Sequence, residues 1–275
     1  MRATMLRRFA LIAYAGLFYA FLYLPIVLLI VLSFNDSNLI GLPFRGATLR
    51  WYQEVLTTPA LVQAIRNSTL LGAASGMIAT LLALMLGLAF RSEFAGKALL
   101  MKALLLPILI PGVIGGIVYL ITFGVVGVPV GLWPATLIAH VSWVLPFAFL
   151  TLFPRLHRFD RSIEEAAMDL GATPWVVFRR IVLPLIRPGL VATAMFAFTL
   201  SFDEFVRTLF VAGSDRTVPI HLWTLLSEQM PPFLPAVGVV VMAVSVIVSL
   251  TGFIMSARAD RGQVTNPKPA PPTSR

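Results

Sequence analysis

The chain has 275 residues, 58% of them hydrophobic and 12% charged, about half the charged fraction of an ordinary soluble domain, so water is not the solvent for most of it. Cysteine is absent, which excludes a disulfide framework and a thiolate metal site, and the scatter of the three histidines, His140, His157 and His221, argues against a histidine-built metal site. The formal net charge of +9 raises the question of nucleic acid, which the placement of the charges answers.

Six apolar stretches are long enough to cross a hydrocarbon core, which takes roughly 20 helical residues. The first runs from Phe9 to Phe34 behind Arg7-Arg8. It begins as a signal peptide does, but its apolar run is longer, and Ser33-Phe34-Asn35-Asp36 offers no small-x-small cleavage site, which predicts an uncleaved helix. The connection from Asn35 to Asn67 carries Gly41, Pro43, Gly46 and Pro59. It reads as a loop with one interfacial helix around Leu49-Arg50-Trp51-Tyr52, its Trp and Tyr suited to the headgroup level.

The second stretch spans Ser68 to Phe90 and the third Leu99 to Phe123. In the third, Pro107, Pro111, Gly112, Gly115 and Gly116 suit either a pliant helix beside a pathway or ordinary close packing of small residues. The fourth, Val130 to Phe153, holds Pro146, read as a kink, together with His140, Ser142 and Trp143. A proton relay or a cation-π cage is one use of these three. With no acid in that span, a packing histidine that hydrogen-bonds a neighbour is favoured. The fifth and sixth stretches are Pro188 to Phe210 and Phe233 to Ser256.

The basic residues sort by side. Arg2, Arg7 and Arg8; Arg91, Lys97 and Lys102; Arg155, Arg158, Arg161, Arg179, Arg180 and Arg187; and Arg258, Arg261, Lys268 and Arg275 occupy the tails and alternate connections. Arg45, Arg50, Arg66, Arg207 and Arg216 lie in or near the others. Positively charged loops stay inside, so both termini are expected to be cytoplasmic. Topology explains the basic balance, and no nucleic-acid partner is expected. Residues 1–261 read as a transmembrane domain with a long cytoplasmic loop at 154–187, and residues 262–275, with four prolines among small polar residues, as a disordered cytoplasmic tail.

Within the long loop, Ser162 is placed to cap a short helix and Glu165 to complete a capping box. Gly171 can take the left-handed conformation that ends that helix. Thr173-Pro174 then starts a second helix, and Pro184 marks its end. Ala166 and Ala167 allow a partner's backbone close approach, while Glu165 and the flanking arginines set register. Docking into a groove on another protein and lying on the membrane surface are both compatible with this pattern.

The fifth span contains Thr199-Leu200-Ser201-Phe202-Asp203-Glu204-Phe205-Val206-Arg207. An ionised side chain at bilayer depth costs roughly 2.5 to 3.5 kcal/mol on insertion scales. The two acids therefore line a cavity, pair with Arg207 at on-face helical spacings, or sit at a wet helix end; all three remain open.

Glu165-Ala166-Ala167, three residues, Gly171, nine residues, Ile181, one residue and Leu183-Pro184 resembles the EAA loop of binding-protein-dependent ABC importer permeases. The resemblance implies an all-α membrane protein with six transmembrane helices and the type I importer permease fold. The first short helix is then a coupling helix seated in a cleft of an ATP-binding subunit. Glu164, Glu165, Ala166, Ala167, Gly171, Ile181, Leu183 and Pro184 are implied as the ATPase-coupling residues. Also implied are two ATP-binding subunits that use ATP and Mg, a second permease subunit forming a heterodimer, an extracytoplasmic substrate-binding protein, and a bacterial inner-membrane location in contact with lipid. The chain has no Gly-x-x-x-x-Gly-Lys-Ser/Thr loop to cradle nucleotide phosphates; it is expected to bind no cofactor itself, to have no catalytic residues and to leave hydrolysis to a partner.

Ser201-Phe202-Asp203-Glu204-Phe205 is similar to the Ser-Phe-Asp-Asp-Phe segment of a permease subunit of spermidine/putrescine importers. Ser33-Phe34-Asn35, Leu49-Arg50-Trp51-Tyr52, Asn67-Ser68 and the Pro107 to Pro111 segment extend the similarity over most of the chain. It implies Ser201, Phe202, Asp203 and Glu204 along the substrate pathway. Carboxylates in a low-dielectric passage attract an ammonium group and repel anions, which disfavours sulfate and phosphate. Glu204 at the second acidic position and the nearby Arg207 leave an amino-acid-like or opine cargo open beside a polyamine. A membrane-embedded enzyme lacks the required His-Glu-x-x-His pattern or Ser/His pair, and a secondary transporter lacks the inverted repeats it would show.

Overall fold

A computed structural model describes residues 2–157, 160–228 and 230–264. Among them there is no strand, only one isolated bridge between Asn35 and Ala47. Five described stretches are long and apolar enough to cross a membrane: Arg7–Ser33, Pro59–Ala89, Leu132–His157, Pro174–Phe202 and Leu234–Gly252. A sixth span is obtained if one sharply bent helix pair is taken as a single crossing. The chain divides into two units, one formed by residues up to Ala64 with His221–Val244, the other by Ile65–Ile220 with the chain from Ser245 on.

In the first unit, α1 (Arg2–Ser33) exposes apolar side chains such as Phe9, Leu17 and Phe21 around its circumference, as a lipid-facing helix does. Past its end, Asn35 organises the following loop. Its Nδ2 donates to the Gly41 carbonyl at 2.9 Å, its Oδ1 accepts from the Arg45 N–H at 2.8 Å, and its carbonyl accepts from Trp51 Nε1 at 2.8 Å. Trp51, on α2 (Arg50–Thr57), is only 5% exposed. The ring is turned inward by a loop carbonyl that needs a donor, so its indole N–H is satisfied within the protein. Arg50 lies 4.0 Å over that ring and 3.1 Å from Asp36.

In the second unit, α3 (Pro59–Ala89), which begins well before the expected Ser68, crosses α9 (Leu183–Phe202) at two glycines one turn apart. A Cβ on Gly76 would lie 3.0 Å from Phe198 N and 3.1 Å from the Ala194 carbonyl, and one on Gly72 would lie 3.1 Å from the Phe198 ring. This is the small-residue contact by which membrane helices approach closely. Gly76→Leu is expected to cost roughly 1 to 3 kcal/mol through overpacking, read as a lowered unfolding midpoint of the purified protein in detergent.

The third apolar stretch is not one helix. α4 (Lys97–Leu109) and α5 (Gly112–Val126) meet at an angle of 108°. Proline disfavours helical geometry in the residue before it, and Ile110, preceding Pro111, is accordingly extended. Pro107 remains inside α4. The fourth stretch enters α6 (Leu137–His157) through Leu132–Thr136. Phe90, Phe149, Leu152 and Leu156 form a core with Val177, Val182 and Ile186. A smaller cluster joins Phe123, Ala135, Ala139 and Val211.

After α6 come α7 (Arg161–Asp169) and α8 (Pro174–Val177), then a π turn at Phe178–Val182 leading into α9. Pro184 does not end the helix, contrary to expectation. The wider turn just upstream relieves the clash of its ring with the preceding carbonyls. The fifth stretch also differs at its other end. α9 stops at Phe202, and α10 (Val206–Val211) follows after a break at Asp203, Glu204 and Phe205. α11 (Val218–Glu228) and α12 (Leu234–Val264) complete the described residues. α12 runs past the expected boundary at Arg261, and the rest of the expected tail lies outside the described residues.

Candidate functional site

The first candidate region is the α7–α8 hairpin. Asp160, not Ser162, is the N-cap: its carboxylate accepts the Ser162 N–H at 3.1 Å. The helix starts two residues earlier than the capping-box reading requires, so Ser162 and Glu165 are not its reciprocal pair. At the other end, the Gly171 N–H donates to the Met168 carbonyl at 2.9 Å and the Ala172 N–H to the Ala167 carbonyl at 3.1 Å. That double bond pattern is a Schellman closure, and it places Gly171 at φ +86°, as expected. Thr173 precedes Pro174 at the first position of α8, without a side-chain cap bond.

The hairpin is fastened to the end of α3. Arg91 pairs with Glu164, their side chains 9% and 20% exposed, and Arg161 donates to the Arg91 carbonyl. Ala167 and Ile181 pack onto the core around Phe90 and Leu156. Leu183 lines an apolar cleft of about 600 Å³ with residues of α3, α9 and α12. The predicted coupling residues thus fall into two groups. Glu164, Ala167 and Ile181 anchor the hairpin and Leu183 lines the cleft, whereas Glu165, Ala166, Gly171 and Pro184 are exposed, as are the apolar side chains of Leu170 and Trp175.

The second region is the break between α9 and α10. Because α9 has ended, Asp203 and Arg207 do not share a continuous helix, and their expected spacing does not pair them. Glu204 does pair: Arg207 Nη1 lies 3.3 Å from both carboxylate oxygens, and Oε1 accepts the Arg207 N–H at 2.9 Å. Arg207 is 4% exposed, with its guanidinium 3.8 Å over the Trp143 ring, a desolvated cation-π contact worth about 2 kcal/mol. The guanidinium packs along α5, where Cβ atoms on Gly112 and Gly115 would each lie in ordinary contact with it at 3.6 Å, while one on Gly116 would collide with Phe210.

His140 bridges the break, its Nδ1 2.7 Å from Ser201 Oγ and its Nε2 2.8 Å from Thr208 Oγ1. Thr208 in turn donates to the Glu204 carbonyl at 2.7 Å. His140 is thus a packing histidine with hydrogen-bonded neighbours. Trp143 receives an internal cation, and Ser142 meets Tyr119 at 2.5 Å. Ser201 and Phe202 are both 2% exposed, so these two proposed pathway residues support the helix end from within. Asp203 alone of the four is exposed; it accepts from Ser245 Oγ at 3.1 Å. Ser245, and Ser249 one turn further along α12, are site neighbours that sequence reading missed. Their signal was two serines at helical spacing in an otherwise apolar span.

Several membrane-spanning helices, a capped hairpin anchored on one of them and a charged break facing a polar seam define a transport permease. The chain belongs to the family described as "binding-protein-dependent transport system inner membrane component", whose model matches residues 1–261. It is 30% identical over 252 residues to the spermidine/putrescine transport system permease protein PotC of Escherichia coli (strain K12), covering 91% of this chain and 95% of that one. It is 32% identical over 259 residues to the putrescine transport system permease protein PotI of the same strain, covering 90% of each. Among solved structures, a chain of a bacterial alginate ABC transporter in complex with alginate pentasaccharide-bound periplasmic protein superposes with a TM-score of 0.70 at 17% identity. That match covers 94% of this chain and 96% of the other. A chain of an inward-facing MetNI methionine ABC transporter gives 0.57 at 18% identity over 73% and 96%. The fold is that of ABC importer permeases.

Proposed function

We propose that this permease carries a polyamine-class cation into a bacterial cell. The observation that carries this reading is the exposed carboxylate of Asp203 at the end of a spanning helix, in a chain whose relatives are permeases for spermidine and putrescine. An amino-acid-like cargo would need a cation for its carboxylate. Arg207, the charge nearest the acids, is buried against Glu204 and Trp143 and does not offer one.

In this reading two ATP-binding subunits, using ATP and Mg, engage α7 through Glu165 and Ala166, with Gly171 setting the turn behind them. A second, non-identical permease subunit completes the passage, and an extracytoplasmic binding protein delivers cargo. Both termini lie in the cytoplasm, as the sorting of Lys and Arg requires. Arg91–Glu164 and the packed Ala167 give a displacement of α7 a stiff route into α3 and α9. The test is ligand identification on the binding protein that activates this permease. Thermal stabilisation by spermidine or putrescine and not by sulfate or phosphate is expected; stabilisation by an anion would overturn the cargo assignment.

A further inference from the structure

The apolar cleft of about 600 Å³ between α3, α9 and α12 has no part in the transport reading. Met77 and Leu84 of α3, Leu190, Ala194 and Phe198 of α9 and Val248 of α12 are among its walls. The hydroxyl in its lining, Thr80 Oγ1, already donates to the Gly76 carbonyl at 2.7 Å. The walls therefore offer a polar cargo nothing. Glycines fix their spacing, because added Cβ atoms on Gly76 of α3 and Gly252 of α12 would lie 3.0 Å from Phe198 N and 3.1 Å from the Met195 side chain of α9. One side is open, with Met77 61% and Leu81 53% exposed.

Leu183 and Phe198 both line the cleft, a separation of about 22 Å along α9 at 1.5 Å per residue. Half a hydrocarbon core is roughly 15 Å thick, so an acyl chain of one leaflet fits lengthwise. Arg187 falls within this stripe of α9. It lies four residues after Leu183 and three and four before Leu190 and Val191, all of them lining residues, and such spacings share a helix face. Its side chain is exposed and has no ion-pair partner among the described residues. Side chains lean toward the N-terminus of their helix, which for α9 is the end joined to the hairpin, and a long basic stem carries its charge on to the headgroups. Arg179 and Arg180, exposed in the π turn before α9, extend the positive end.

We propose that this cleft binds an anionic phospholipid of the cytoplasmic leaflet, with one acyl chain between α3, α9 and α12 and the phosphate on Arg187. Basic pockets between spanning helices on the cytoplasmic side suit such headgroups, and that leaflet supplies anionic lipid throughout. A helix of another permease would instead have to bring its own acid to membrane depth, where an ionised group is costly. The inference rests on the cytoplasmic placement of the hairpin proposed above and is independent of the cargo.

The test is native mass spectrometry of the complete transporter purified with added phosphatidylglycerol or phosphatidylcholine. Retained phosphatidylglycerol is expected in the wild type, and phosphatidylcholine is not. Arg187→Gln should lower retention at least fivefold, Arg187→Lys should keep most of it, and millimolar inorganic phosphate should not compete. Ala73 lines the cleft and is exposed, so Ala73→Phe should obstruct the acyl chain and lower retention without loss of assembled complex. Unchanged retention in both Arg187→Gln and Ala73→Phe would overturn the proposal.

Because the chain has no cysteine, Met77→Cys can carry a fluorophore in the reconstituted complex. Quenching by phosphatidylglycerol with a doxyl-labelled chain should exceed that by doxyl-labelled phosphatidylcholine several-fold, and Arg187→Gln should remove the difference. Equal quenching would show an ordinary lipid-facing surface; no quenching by either, with cross-linking of Met77→Cys to the second permease subunit, would show a protein helix in the cleft. Either result contradicts the proposal. Labelling of Arg180→Cys by an impermeant thiol reagent in inside-out but not right-side-out vesicles checks the topology separately, and the reverse pattern would overturn the leaflet assignment.

Discussion

Replacing Arg207 with alanine is expected to cost the folded permease about 3 to 5 kcal/mol, the penalty for leaving one member of a buried ion pair alone. The guanidinium is 4% exposed, bonded to both oxygens of Glu204 and stacked on Trp143. Its loss strands the carboxylate and opens a void along Gly112 and Gly115 of α5. The same break holds the Ser201–His140–Thr208 bridge, so the loosened region includes the end of α9. The check is thermal unfolding of the purified complex in detergent, alongside the double variant Glu204→Gln with Arg207→Met. Replacing both charges by groups of similar shape is often close to neutral, and the double variant should recover most of the loss. A single variant within about 0.5 kcal/mol of wild type, the range of ordinary surface substitutions, would show that the pair is not buried in the working protein.

Ala166→Trp is expected to abolish transport without unfolding the permease. Ala166 is exposed on the outward face of α7, and its side chain is not among those packed on the core, so the larger ring has room in the free chain. At a contact that depends on close backbone approach, that ring should cost about 2 kcal/mol or more, on the scale of an interface hot spot, or roughly thirtyfold in association with the ATP-binding subunits. Co-purification of those subunits measures it. Normal expression with lost co-purification is predicted; wild-type co-purification and uptake would remove α7 from the coupling interface.

These two regions were not equally legible in the sequence. The hairpin was readable almost residue by residue, because its turn is enforced locally: Gly171 must take a positive φ and Pro174 suits a first turn. Its cap was misplaced because Asp160 and Ser162 are both good N-caps, and local chemistry alone does not choose between them. The spans were readable as apolar runs, but an apolar run records what a segment dissolves in and not whether its helix is continuous. The turn of 108° at Pro111 and the break after Phe202 were therefore hidden inside runs taken as single helices. Assuming a continuous fifth helix also gave Asp203 a partner in Arg207 that the break removes. The i+3 pairing of Glu204 survived because it needs less than one turn. Ser245 and Trp51 depend on tertiary neighbours, α9 for one and the Asn35 carbonyl for the other.

The most direct test of the account is uptake of labelled putrescine or spermidine into proteoliposomes holding this chain with its partner permease and ATP-binding subunits. ATP is supplied on the side of those subunits, and the binding protein is present or absent on the other. The account predicts uptake that requires both ATP and the binding protein. Uptake by the chain alone, driven by an ion gradient without either, would contradict it.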